Sequence, residues 1–147
     1  MIPDTIEYER QLLQARLDAI TSREDRGRLG QFSTPSDLAV QIVREALRLL
    51  DSREPINLID PAFGTGVFLS ALLRTVDGNQ PVVATGFEVD LAHGSAAAEL
   101  WSGITLDLRL EDFTAAGRPI WEDERANLML CNPPYLRNQR IPASEKR

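Results

Sequence analysis

Four short segments of the chain combine residue types that could do chemistry. The sharpest is Asn132-Pro133-Pro134-Tyr135, which closes the apolar run Asn127-Leu128-Met129-Leu130-Cys131. Two prolines fix φ and remove two backbone donors, leaving carbonyl acceptors in a stiff geometry. Asn132 adds a side-chain carbonyl, and Tyr135 offers a flat surface to a planar base. Two converging acceptors hold both N–H protons of an sp² amine. They also draw nitrogen electron density away from the ring, which favours direct attack on a methyl group.

The second segment is Asp60-Pro61-Ala62-Phe63-Gly64-Thr65-Gly66. A Gly-x-Gly turn that opens a helix lets backbone approach a ligand and presents N–H groups at a helix N-terminus. Alone it does not choose between ligands. It lacks the Gly-Lys-Ser/Thr ending of a phosphate-binding loop, and Leu69 stands where a dinucleotide fingerprint has its third glycine. The third segment, Gly86-Phe87-Glu88-Val89-Asp90, lies about 20 residues on, where a carboxylate can accept from a ribose diol. Glu88 is the better candidate, and Asp90 is read as the cap of the next helix. In the fourth, Glu111-Asp112-Phe113, a short acid beside an aromatic can accept from an exocyclic amine and cover a ring face.

These segments need elements to place them. Ile56–Ile59 reads as a strand running into the glycine turn, with a helix through Val67, Phe68, Leu69, Leu72, Leu73 and Val76. Pro81–Val89 reads as a second strand, residues 91–101 as an Ala-rich helix, Ile104–Leu108 as a third strand and Ala126–Cys131 as a fourth. Pro119–Glu124 reads as turn-like. Strands alternating with helices predict an α/β fold with a parallel sheet, whose ligands sit at the carboxyl ends of the strands. Every unusual motif falls at such an end. Ahead of the sheet, Ile6, Leu13, Leu17 and Ile20 predict an amphipathic helix over 5–20 with Asp4 as cap and Leu12 beside its stripe. Residues 22–30 read as a linker. Ser36 is read as the cap of a second helix whose face is Ala39, Ile42, Val43, Ala46, Leu47 and Leu50.

Composition sets the bounds. The chain has 147 residues, 43% hydrophobic and 26% charged, enough for one core without disulfides or metal. One cysteine excludes a disulfide framework within the chain. No apolar run approaches a membrane span, and Met1-Ile2-Pro3-Asp4 carries no secretory signal, so a reduced, cytoplasmic protein is expected. The net charge of -6 is uneven. Residues 55–126 carry 4 basic and 11 acidic side chains, whereas residues 127–147 carry 4 basic and 1 acidic. An acidic chain grips a polyanion poorly. If nucleic acid is the partner, Arg137, Arg140, Lys146 and Arg147 face it, or most of the grip lies elsewhere.

Taken together the motifs resemble the N-terminal part of an N6-adenine-specific DNA methyltransferase of the restriction–modification type. The matching stretches are Gly30-Gln31-Phe32-Ser33-Thr34-Pro35, Asp60 to Leu69, Gly86 to Asp90, Asp112-Phe113 and Asn132 to Tyr135, in the order of the gamma class. The resemblance spans roughly residues 28–138. It implies a Rossmann-like sheet, incomplete at about four strands, that uses S-adenosyl-L-methionine and no metal. It divides the chain into an N-terminal helix and linker, 1–30, and a partial catalytic domain, 31–147, without a target recognition domain.

The resemblance also implies roles. Phe32, Thr34 and Pro35 would close over the methionine end of the cofactor. Asp60, Ala62 and the Gly64-Thr65-Gly66 turn would hold the methionine moiety, and Glu88 the ribose hydroxyls. Asp112 would accept from the cofactor's adenine amine while Phe113 packs on that ring. Asn132 and the Pro133 carbonyl would accept from the target amine, with Pro134 stiffening the turn and Tyr135 stacking on the base. DNA is the implied partner, its adenine flipped out of the duplex. Cys131 is read as a small core residue and His93 as a helix-surface one. Related Asn-Pro-Pro-Tyr motifs occur in methyltransferases of release-factor glutamine and of RNA guanine, and a truncated remnant that binds cofactor weakly or not at all is a further reading. On this reading the isolated chain is expected to be nearly inactive, and a bare fourth strand to promote self-association or pairing with a complementing chain.

Overall fold

The computed structural model describes residues 4–20, 32–51, 54–76, 78–117 and 125–135. The element order is α1 (Asp4–Ile20), α2 (Ser36–Leu47), β1 (Ile56–Asp60), α3 (Val67–Thr75), β2 (Val82–Phe87), α4 (Leu91–Leu100), β3 (Leu106–Arg109) and β4 (Leu128–Met129), with a 3-10 turn at Phe113–Ala115. The expected linker at 22–30, the turn at 119–124 and the basic tail beyond Tyr135 lie outside the described residues.

The four strands form one parallel sheet in the order β3-β2-β1-β4. This is the expected α/β, Rossmann-like arrangement, with β1 central. Its inward residues Ile56 and Leu58 join Ala84, Leu128, Phe68, Leu69, Leu72 and Trp101 in one core. Three strands, β2, β3 and β4, are shorter than the apolar runs suggest. β4 is reduced to Leu128–Met129, and at Asn127 side-chain bonds stand beside the backbone bond that Asn127 N donates to the Asn57 carbonyl at 3.2 Å. Asn127 Oδ1 accepts from Asn57 N at 2.9 Å and its Nδ2 donates to the Pro55 carbonyl at 2.9 Å. Among the described residues β4 is an edge strand, and Met129 is exposed.

The helices depart from expectation in an informative way. α2 buries Ala39 and Val43 and packs Ala46, Leu47 and Leu50 against the core as expected, while Ile42 stays exposed. Ser36 is not its cap. The capping position is Pro35, without a side-chain bond, and Ser36 Oγ is spent on α1. On α1 the apolar stripe is only half right. Ile6 packs on the core, but Ile20 and Leu12 are exposed, and the fully buried residues are Glu7 and Arg10. Asp4 opens the described part of α1, and the residues before it lie outside the described residues.

The glycine turn folds as its composition demands. Gly64 and Gly66 both take positive φ, +55° and +83°, a region costly to residues with a Cβ. They differ in surroundings. A Cβ on Gly64 would meet nothing, whereas one on Gly66 would lie 2.6 Å from Trp101 Nε1 and 2.7 Å from Phe63 Cζ. We therefore expect Gly66→Ala to cost roughly 3 kcal/mol or more in urea unfolding, the left-handed penalty plus overpacking. Gly64→Ala is expected to cost about 1–2 kcal/mol, the backbone penalty alone. Equal losses would contradict the packing role of Gly66.

Candidate functional site

A cavity of about 430 Å³ opens at the carboxyl ends of the strands. Each strand sends a motif to it, so the sheet order sets their order along it. From β3 come Asp112, Phe113 and Thr114; from β2, Phe87, Glu88 and Val89; from β1, the loop Pro61 to Thr65; from β4, Cys131 to Pro134. Phe32, Ser33 and Thr34 close a further side. Of the expected site residues, Phe32, Thr34, Ala62, Gly64, Glu88, Asp112, Phe113, Asn132, Pro133 and Pro134 line this one cavity. Pro35, Asp60, Gly66 and Tyr135 do not.

The four outside have visible surroundings. Gly66 is the left-handed residue ahead of α3, pressed between Trp101 and Phe63 rather than open to a ligand. Asp60 is buried behind the loop. Its Oδ1 accepts from Ala62 N at 3.1 Å, and its Oδ2 is buried without a partner among the described residues. Burial pushes its carboxyl up to about 7; the Ala62 bond opposes this and the Glu88 charge adds to it. Pro35 precedes α2, and Tyr135 is exposed at the end of the described chain.

Glu88 is the hub of the β1–β2 side. Its Oε2 accepts from Gly64 N at 2.8 Å and its Oε1 from Asp90 N at 2.9 Å. A carboxylate has about four acceptor positions, so two donors can still be added. Asp90 caps α4 as expected, accepting from Ala92 N and His93 N. Asp112 Oδ1 accepts from the Thr114 backbone and hydroxyl, which holds its carboxyl below the usual range. Phe113 meets Phe87 edge to face, ring centres 5.1 Å apart.

Asn132 joins the last motif to the first. Its Nδ2 donates to the Phe32 carbonyl at 3.0 Å and to Thr34 Oγ1 at 2.9 Å. Both amide protons are thereby committed, which fixes which way the amide faces and makes Oδ1 its remaining polar atom, an acceptor. Cys131 lines the cavity rather than the core. Burial first, and the nearby Asp60, push its thiol up to about 11. It is protonated at neutral pH and suits no nucleophilic role. His93 is a correction: it is a largely buried cavity residue, Nδ1 3.3 Å from Asp90 Oδ2, not a surface one.

Sequence reading missed the α1 wall. Gln14, Leu17 and Asp18 line the cavity. Below them the Glu7 carboxylate accepts two bonds from the Arg10 fork, at 2.8 and 2.9 Å, and others from Gln11 and the Ser36 and Ser70 hydroxyls. The signal was present as polar residues Glu7, Arg10 and Gln14 at core-facing helical spacing. Burial pushes the Glu7 carboxyl up, but the bonds from Arg10, Ser70, Gln11 and Ser36 win and bring it from 4.5 to about 2. Arg74 on α3 stands 3.7 Å away. A folded-state value below the unfolded one gives stability that is complete above pH 4.5 and is lost as pH falls towards 2, roughly 3 kcal/mol in all. Melting temperature is expected to drop across that window, and Glu7→Gln to flatten the drop. An unchanged slope in Glu7→Gln would contradict this account.

Among the described residues no cluster of His, Cys, Asp or Glu could hold a metal ion, and no helix is long and apolar enough to cross a membrane. No family profile matches the chain. It is 31% identical over 116 residues to the type II methyltransferase M.CvrRI of Paramecium bursaria Chlorella virus XZ-6E, covering 78% of this chain and 27% of that protein. It is 27% identical over 117 residues to the type II methyltransferase M.AccI of Acinetobacter calcoaceticus, covering 79% and 20%. The chain thus spans about a quarter of the curated relatives it matches. Among solved structures, the methyltransferase subunit of a type I restriction–modification system from Streptococcus thermophilus is 25% identical with a TM-score of 0.60, over 71% of this chain and 23% of that one. A Listeria monocytogenes protein assigned as a class I S-adenosylmethionine-dependent methyltransferase aligns with a TM-score of 0.67 at 19% identity, over 88% and 39%. A Pyrococcus horikoshii protein assigned as an RNA methyltransferase aligns with a TM-score of 0.58 at 22% identity, over 73% and 50%. In sequence and in fold, then, the chain resembles part of a methyltransferase of the restriction–modification type, on the Rossmann-like fold of class I S-adenosylmethionine-dependent enzymes.

Proposed function

We propose that the cavity binds S-adenosylmethionine and serves methyl transfer to the N6 amine of adenine in DNA. The observation that carries this reading is the Asn132 clamp. With both Nδ2 protons held by Phe32 and Thr34, Oδ1 is left as an acceptor beside Pro133 and Pro134, where a target amine needs one.

The residues fit the cofactor. A cavity of about 430 Å³ lies within the usual range for small ligands, roughly 300–1,000 Å³. Glu88 has acceptor capacity for two ribose hydroxyls. Asp112 takes the adenine amine and Phe113 its ring face. The Ala62–Thr65 loop cradles the methionine end, with the open side of Gly64 allowing close approach. Phe32 and Thr34 cover it, with Pro35 behind them at the start of α2, and Asp60 acts through the loop by holding Ala62 N. When bound, the cofactor supplies an electrophilic methyl group. Asn132 Oδ1 and the Pro133 carbonyl accept the two N–H groups of the flipped adenine, Tyr135 stacks on its ring, and the excess proton leaves the nitrogen after transfer.

The catalytic region is 31–147, with α1 forming one wall. DNA is the partner proposed, gripped largely by surface outside this chain, in keeping with its acidic balance. Because the chain spans about a quarter of its curated relatives, slow transfer by the chain alone is expected. Association through the β4 edge accompanies this, and a monodisperse monomer in sedimentation would contradict it. The deciding assay offers labelled S-adenosylmethionine with unmethylated DNA, RNA or a release factor. Label in N6-methyladenine of DNA supports the reading; label only in RNA or protein overturns it.

A further inference from the structure

We propose that the buried Glu7–Arg10 pair of α1 is a positioning device for the amino-acid end of the cofactor, acting through Thr65 and Ser36. The inference rests on the cofactor reading above and extends it to residues that touch no ligand. Along the cavity the sheet order is β3, β2, β1, β4. Asp112 at β3 and Glu88 at β2 suit adenine and ribose, so the β1 loop, between them and Asn132, faces the methionine end.

Thr65 is the loop residue that α1 holds. Its Oγ1 accepts from Arg10 Nη1 at 3.0 Å and donates to Gln14 Oε1 at 2.9 Å, so its only proton is spent on the helix. The Thr65 carbonyl accepts from Trp101 Nε1 at 3.0 Å. The loop is thus fastened from two sides, by α1 and by the residue that ends α4. Arg10 Nη2 also donates to Ser36 Oγ at 2.8 Å, and Ser36 stands two residues after the Phe32–Thr34 segment that closes the cavity. One guanidinium therefore sets two walls. Its orientation is in turn set by the two-pronged bond to Glu7, which Ser70 of α3 also holds.

A structural role alone does not require charge here. Apolar residues of similar volume often replace a buried pair without loss of stability, whereas removing one partner strands the other. What an apolar pair cannot do is grip Thr65 and Ser36. The test is calorimetric binding of two ligands, S-adenosylmethionine and 5′-methylthioadenosine, which keeps the adenosine and thioether but lacks the amino-acid end. The variants are Glu7→Met/Arg10→Met together, and Thr65→Val, which leaves the ion pair intact and carries the test should the double variant not fold.

The expected result is a loss of S-adenosylmethionine affinity of about tenfold, the size of one or two hydrogen bonds. Affinity for 5′-methylthioadenosine is expected to stay within about twofold. Equal losses for both ligands, or no loss for either, overturn the positioning role while leaving the cofactor reading intact. A parent chain that binds neither ligand overturns both.

Discussion

Replacing Glu88 by alanine is expected to weaken S-adenosylmethionine binding by about 10²-fold or more, a loss of roughly 3 kcal/mol built from charged hydrogen bonds of about 1.5–3 kcal/mol each. Two effects combine. The proposed ribose hydroxyls lose their acceptor, and Gly64 N loses the carboxylate that holds it at 2.8 Å. The turn behind the methionine end then relaxes as well. Glu88→Gln is expected to recover little. A single amide oxygen can serve either Gly64 N or Asp90 N, and the amide NH₂ would confront the other donor. A titration in which Glu88→Ala binds within about threefold of the parent would remove Glu88 from the cofactor site.

Asn132→Ala is expected to do the reverse. Methyl transfer to DNA falls by about 10²–10³-fold in a single-turnover assay with labelled cofactor, the usual size of losing one preorganised polar group at a reacting centre. Cofactor affinity changes by less than about tenfold, the part that reflects release of Phe32 and Thr34 from Nδ2. Asn132→Asp is a sharper probe. It keeps an acceptor toward the target amine but sets a charged oxygen against the Phe32 carbonyl, so it should fail through the clamp. Parent-like transfer by Asn132→Ala would contradict the assigned role, whatever the cofactor does.

What was legible in the sequence was what strand ends make legible. Glycines with positive φ, an acid at the tip of β2 and a doubled proline after β4 each break the apolar pattern at one place. A parallel sheet gathers such places on one side. The Gly-x-Gly turn, the Asp90 cap and the parallel sheet of four strands followed directly. Strand lengths did not: β2, β3 and β4 are each shorter than their apolar runs, and the side-chain bonds that Asn127 adds beside β4 leave no mark in apolar periodicity.

The α1 face was misread for a deeper reason. Hydrophobic patterning assigns Glu7 and Arg10 to solvent, yet each is the partner that makes burial of the other tolerable. Ser36 was misread with them, since its hydroxyl is taken by that pair and leaves its own helix uncapped. Likewise Gly66 is spaced as a ligand-binding glycine, but the space it leaves is filled by Trp101, 35 positions further on. Long-range partners of this kind are not written in local spacing. Glu7, Arg10 and Gln14 at helical intervals are the one trace that was.

The central claim is that the cavity at the strand ends holds S-adenosylmethionine beside Asn132. Calorimetric titration of the cofactor into the parent chain, Glu88→Ala and Asn132→Ala tests it most directly. The account predicts one-to-one binding by the parent, loss in Glu88→Ala and retention in Asn132→Ala. A parent that binds no cofactor, or equal loss in both variants, would contradict it.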